Sequence, residues 1–261
     1  MKRLIRYLVI FLLCLCCFSC KRDVSVYTED SKSVELLLYC GAGIRPAAKA
    51  LIDEFERRSS VKVSATYAGS GRLLGQLTTS KRGDLYMPGS GFYVDKAIEN
   101  GLADKGLKRK VALFIPTILV QKGNPLGVRT LRDFADKQLR VGLGDERAVA
   151  IGKRSVMLFE KNKIPYDKVT DNVVFKSGTV NELALALQLK NVDAVIVWDA
   201  NARQFADSCD AIEIPKKENV ISTISIVPLT FSNEKIASLK FIEFVTSEDG
   251  KTILKEQGYT I

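Results

Sequence analysis

From position 34 onward the chain alternates short apolar runs with segments whose apolar residues recur every three or four positions. Residues 34–39 predict a strand. After Gly41-Ala42-Gly43, the set Ala48, Leu51, Ile52 and Phe55 falls at the spacing of one helix face. Pro46 suits the first turn of that helix, where no amide hydrogen is needed. Residues 61–67 predict a second strand, which runs into Ala68-Gly69-Ser70-Gly71 and then a helix with Leu73, Leu74 and Leu77 on one side. A short strand at 84–87 leads through Pro88-Gly89-Ser90-Gly91 to a third helix with Val94, Ala97 and Ile98, stopped by Asn100-Gly101.

Residues 111–121 form a long apolar run interrupted by Pro116, and beyond Gly123-Asn124-Pro125 the pattern restarts. Strands are expected at 139–143, 173–175 and 192–197. The first is followed by Gly144-Asp145-Glu146 and a helix to about 161. The second is followed by Ser177-Gly178 and a helix carrying Val180, Leu183, Ala184 and Leu187. The third ends on Trp198-Asp199, before a helix through Phe205. A second long apolar segment, 220–231, precedes two helices at about 234–246 and 248–257. Phe55, Phe92, Tyr93, Phe159 and Phe205 follow the helical period and read as core.

Repeated strand–turn–helix units predict an α/β fold with mostly parallel sheets flanked by helices. The two sets, joined by crossover strands at 111–121 and 220–231, predict two lobes. Lobe I takes 34–113 plus 230–261 and lobe II takes 117–222, with a cleft between them at strand ends.

The amino terminus carries a different signal. Lys2, Arg3 and Arg6 precede an apolar run over 7–17, then Phe18-Ser19-Cys20. That pattern predicts an export signal over 1–19, Cys20 as the lipidated first residue, and a polar tether over 20–33. A secretory signal cut elsewhere is the alternative, because Cys14, Cys16 and Cys17 crowd the region. The run is shorter than the roughly 20 residues a spanning helix needs. The expected location is the periplasm or cell surface, with the chain attached to the membrane by its lipid.

Composition narrows the chemistry. The chain contains no histidine, which excludes Ser/His/Asp triads, Cys/His dyads and His-ligated metals. No Walker motif and no strand-following G-x-G-x-x-G occurs, so a nucleotide cofactor is not expected, nor any other. Cys40 and Cys209, the two cysteines outside the leader, fit no metal motif and cannot be paired from sequence. Net charge is +9, but the basic residues interleave with acids, as in Asp53-Glu54-Phe55-Glu56-Arg57-Arg58. A solvated surface, not a nucleic-acid face, is the reading.

The remaining chemistry lies in four strand-to-helix turns, at 41–45, 68–72, 144–150 and 177–180. Each helix start presents unpaired N–H groups and the positive end of a dipole. Converging on one cleft, they would form an anion site built mainly from neutral donors. Each turn alone is also what an αβ connection needs for geometry. Arg45, Arg72 and Arg147 adjoin three of the turns, and face either solvent at the rim or the anion. Asp84 and Asp199 read as helix-start or hinge residues.

The blocks Leu38-Tyr39-Cys40-Gly41-Ala42-Gly43-Ile44, Tyr67-Ala68-Gly69-Ser70-Gly71-Arg72-Leu73 and Gly83-Asp84-Leu85-Tyr86 come in an order that resembles the molybdate-binding proteins of bacterial ABC importers. Val141-Gly142, the segment 179–187 and Val195-Ile196-Val197-Trp198 extend the resemblance over nearly all of 34–261. The resemblance implies a two-lobed, type II periplasmic-binding fold and no enzyme activity. It implies a monomer that closes on a tetrahedral oxyanion, molybdate or tungstate, and delivers it to a permease with its ATPase; the alternatives are another anion, phosphate or sulfate, a sensory binding protein, or an enzyme on the same scaffold. Carried over position by position, it implies ligand contacts at Gly43, Ser70, Val149, Ala150, Val180 and Trp198, with Arg45, Gly71, Arg72, Arg147 and Thr179 as additional contacts. Two positions depart from the family. Gly43 stands where a Ser is usual, and Trp198 where many members carry a Tyr.

Overall fold

The computed structural model describes residues 34–261, so the leader and Cys20 lie outside the described residues. Two five-stranded sheets organise the chain. The first half supplies β1 (Glu35–Gly41), α1 (Arg45–Arg58), β2 (Lys62–Ala68), α2 (Ser70–Ser80), β3 (Leu85–Met87), α3 (Gly91–Glu99) and β4 (Arg109–Phe114). The second sheet draws on β5 (Pro116–Gln121), α4 (Asp133–Asp136), β6 (Val141–Gly144), α5 (Ala150–Lys161), α6 (Tyr166–Asp171), β7 (Val173–Ser177), α7 (Val180–Gln188), β8 (Ala194–Trp198), α8 (Asp199–Arg203) and β9 (Cys209–Glu213). The chain then returns through β10 (Ser222–Pro228) to α9 (Lys235–Thr246) and α10 (Glu248–Glu256).

The strand orders are β2-β1-β3-β10-β4 and β7-β6-β8-β5-β9. In the first sheet β1 runs parallel to β2 and β3, while β10 is antiparallel to both β3 and β4. In the second β6 runs parallel to β7 and β8, while β5 is antiparallel to both β8 and β9. Each sheet therefore has one strand opposed to the other four, and that strand is the one arriving from the other lobe or leading away from it. The expected α/β class, with two mostly parallel sheets flanked by helices, is the observed one.

The crossovers differ from expectation. The run 111–121 is two strands in two sheets, broken at Ile115. There Asp199 spans the break: its N–H donates to Ile115 O (2.8 Å) and its Oδ1 accepts from Ile115 N (3.2 Å). Burial pushes the Asp199 carboxyl above the usual carboxylate range. The second crossover is not a strand. β9, which the sequence pattern did not reveal, ends at Glu213, and the connection 214–221 folds around Asn219, whose Nδ2 donates to Pro116 O (2.8 Å) and Ile214 O (3.3 Å). β10 lies wholly in the first sheet, so residues 222–228 belong with lobe I.

Both cores are filled by the expected helix faces, but Phe92 is a correction. It is 38% exposed, with the Lys153 ammonium 4.4 Å from its ring centre, because α3 turns Tyr93, Val94 and Ala97 inward. Asp84 is neither cap nor hinge: it accepts from Leu37 N (2.8 Å) and Ser232 Oγ (2.6 Å), tying the edge of β3 to β1 and to the chain after β10. Cys40 and Cys209 are both buried free thiols. Among the described residues no helix is long and apolar enough to cross a membrane.

Candidate functional site

At the ends of β1, β2, β6 and β8 the two lobes meet around a small cavity. Lobe I contributes Gly41–Gly43, Ala68–Ser70, Gly89 and Phe114. Lobe II contributes Val149, Ala150, Val180 and Trp198. None of these residues is charged. In this closed arrangement the free space is about 10 Å³, room for about one water molecule. Anything larger needs more room than this arrangement gives.

Three helices begin in the wall. Ser70, Ala150 and Val180 are the first residues of α2, α5 and α7, each preceded by a residue in extended conformation. The N–H of a first helical residue has no acceptor within its own helix. Thr179 stands one residue outside α7 and caps it, its Oγ1 accepting from Glu182 N (3.3 Å). The fourth element is a 3₁₀ turn, Ala42–Ile44, directly after β1. The positive ends of three helices and a tight turn thus face one uncharged space, an arrangement suited to an anion.

Ser70 is 2% exposed, and its Oγ accepts from Gly89 N (3.0 Å). With an acceptor lone pair already occupied, the hydroxyl hydrogen is left as a donor. Trp198 is also 2% exposed and stacks on Phe114, with ring centres 4.7 Å apart and planes 3° from parallel. The stack joins a residue of each lobe beside the hinge and floors the cavity. Trp198 therefore packs and lines the space at once.

Gly43 has a positional reason. Its carbonyl accepts from Tyr259 Oη (2.8 Å) and Asn201 Nδ2 (3.1 Å). A Cβ on it would stand 2.8 Å from Val180 Cγ1 and 3.0 Å from Asn201 Oδ1, so a serine here would have to displace both side chains with the lobes closed. Burial drives the Tyr259 phenol far up, and it stays a neutral donor.

The seam between lobes is closed by backbone. Gly71 N donates to Ala148 O (3.0 Å). Beta carbons at Gly69 and Gly71 would lie 2.4 Å from Ala148 O and 1.9 Å from Arg147 O.

Of the residues expected at the site, Gly43, Ser70, Val149, Ala150, Val180 and Trp198 line the cavity together. Val149 offers no free amide there, because its N–H donates to Asp145 O (3.0 Å). Gly71 and Thr179 lie just outside the lining, one in the seam and one as a cap. Arg45, Arg72 and Arg147 are exposed and absent from the lining, and Arg45 lies over the Tyr67 ring, 4.6 Å from its centre. Sequence reasoning missed Gly89, Phe114, Asn201 and Tyr259. The turn Pro88-Gly89-Ser90-Gly91 was a readable signal for the first, being a third strand-to-helix turn in the same lobe. Nothing local marked the other three.

Comparison with known proteins agrees with this architecture. Residues 36–260 match the bacterial extracellular solute-binding protein family. A binding protein of Haemophilus influenzae is 29% identical over 89% of this chain and 93% of its own length. The molybdate-binding protein ModA of Mycobacterium tuberculosis is 21% identical over 89% of this chain and 86% of its own. Among solved structures, the sulfate-binding protein SubI of Mycobacterium tuberculosis superposes with a TM-score of 0.79 at 17% identity, over 87% of this chain and 86% of that one. With a family match spanning both lobes and the cleft between them, the chain belongs to the bacterial extracellular solute-binding proteins.

Proposed function

We propose that this protein captures a tetrahedral oxyanion, molybdate or tungstate, between its lobes and hands it to an ABC permease with its ATPase. The observation that carries the reading is the convergence of three first-turn amides and the Ser70 hydroxyl on one small space without a charged side chain. Neutral donors at helix starts hold a fully ionised anion without a proton to trade. Ligand binding favours the closed lobes, which the permease reads; no bond is made or broken. The export signal and Cys20 fit a lipid-tethered monomer working outside the cytoplasm.

A melting panel of molybdate, tungstate, sulfate, phosphate and a few organic anions tests the class, since a ligand of the native state raises stability by mass action. Molybdate and tungstate are expected to give the largest shifts. A shift only with sugars, amino acids or peptides overturns the reading. A larger shift with sulfate moves the ligand but keeps the site.

Ser70→Ala is expected to weaken molybdate binding by about 1.5–3 kcal/mol, the scale of a hydrogen bond to a charged group. Calorimetric titration checks it, and unchanged affinity would remove the hydroxyl from the ligand shell.

A further inference from the structure

Arg154 lies on α5, four residues after Ala150, so about 6 Å along the helix axis from the amide at the cavity wall. Its side chain is part-buried, and that desolvation lowers its pKa with no acidic group opposing it. Its polar partners are hydroxyls of the other lobe: Nη2 donates to Ser222 Oγ (3.1 Å) and Ser90 Oγ (3.3 Å). The Ser222 hydroxyl donates onward to Gly89 O (3.4 Å), and Gly89 N is the donor to Ser70 Oγ. Two neighbouring lysines have partners of their own. Lys153 sits over the Phe92 ring, and Lys108 is paired with Asp95.

A part-buried cation without an anion is costly, and two hydroxyls do not neutralise it. The uncharged cavity has the opposite need: a dianion held only by neutral donors leaves net negative charge in a medium of low polarity. The two deficits sit on either side of Gly89.

We propose that Arg154 is the counter-charge of the anion site, acting across the Gly89 peptide without touching the ligand and balanced only when a dianion is bound in the closed form. The inference rests on the oxyanion reading above. It makes Arg154 a positioning and selectivity residue, and gives it the role that neither Arg45, Arg72 nor Arg147 is placed to take.

The test compares molybdate with perrhenate, tetrahedral anions of similar shape with two charges and one, by titration calorimetry of the full protein. Removing the charge in Arg154→Gln keeps a donor for the serines. Molybdate affinity is expected to fall roughly tenfold or more, with a much smaller loss for perrhenate, so that the preference for the dianion narrows. Arg154→Lys, which keeps the charge and cannot serve both hydroxyls, is expected to retain the preference even if both affinities drop. Equal losses for the two anions in Arg154→Gln would reduce Arg154 to a lobe latch and overturn the proposal, as would unchanged molybdate binding. If Arg154→Gln does not fold, loss of the dianion preference in Arg154→Lys overturns it alone. Wild-type protein that binds none of molybdate, tungstate, sulfate, phosphate and perrhenate defeats the oxyanion reading, and this inference with it.

Discussion

Gly71→Ala is expected to abolish tight ligand binding while leaving the free protein nearly as stable as the wild type. The added methyl would stand 1.9 Å from Arg147 O, a backbone atom of the opposite lobe. A flexible side chain could swing aside from such an overlap; a backbone carbonyl in the tight turn before α5 yields far less readily. The seam must then stay ajar, and with it goes the bond from Gly71 N to Ala148 O. Overpacking of this kind costs about 3 kcal/mol at the upper end of its usual range, close to a hundredfold in affinity. The open form does not feel the clash, because the methyl projects from α2 toward the other lobe. Calorimetry should therefore show the affinity loss, and small-angle scattering should show a protein that no longer contracts with molybdate. Near-normal affinity in this variant would mean that the bound state is more open than the arrangement described here. Gly69→Ala, with its Cβ 2.4 Å from both Ala148 O and Gly178 O, is expected to behave alike.

Those two glycines show what could be read from sequence and what could not. Their turn was legible, since a small-residue loop between an apolar strand and an amphipathic helix is a local pattern. The reason they are glycine is not local: it is set by carbonyls some eighty to a hundred residues away, across a cleft that exists only after both lobes have formed. The same division runs through the fold. α1, α2, α5 and α7 announced themselves by periodicity. β9 did not, because Cys209–Glu213 is a lobe-edge strand with only its first residue fully buried. The break at Ile115 was hidden inside one apolar run, and only the bonds from Asp199, distant in sequence, reveal it as a hinge. At the site, six of the positions carried over from the family line one cavity. Phe114 reaches it, and Asn201 and Tyr259 reach the Gly43 carbonyl beside it, by tertiary placement alone. Arg154 was invisible for a related reason: one basic residue among many on an exposed-looking helix, distinguished only by having hydroxyls where a carboxylate would be expected.

Trp198→Ala carries the largest expected loss of stability. Trp198 is the only tryptophan in the chain, and its whole ring is enclosed between Phe114 and the cavity. Replacing it removes the stacked face and leaves a hole at the point where the lobes pivot, since Phe114 and Trp198 are the immediate neighbours of the bonded pair Ile115 and Asp199. Truncating a buried aromatic of this size costs about 3–5 kcal/mol. For a protein of this length each kcal/mol is worth roughly 2–4 °C, so the melting temperature of the free protein should fall by about 10 °C. Trp198→Tyr separates packing from recognition. Tyrosine restores most of the stacked surface and places a phenol where many members of the molybdate-binding group carry one. It should recover the greater part of the stability and bind molybdate at least as well as the wild type. A tyrosine variant that regains stability but loses the ligand would instead make the indole N–H a direct contact. A Trp198→Ala variant less than about 1 kcal/mol below wild type would mean that the stack does not hold the hinge at all.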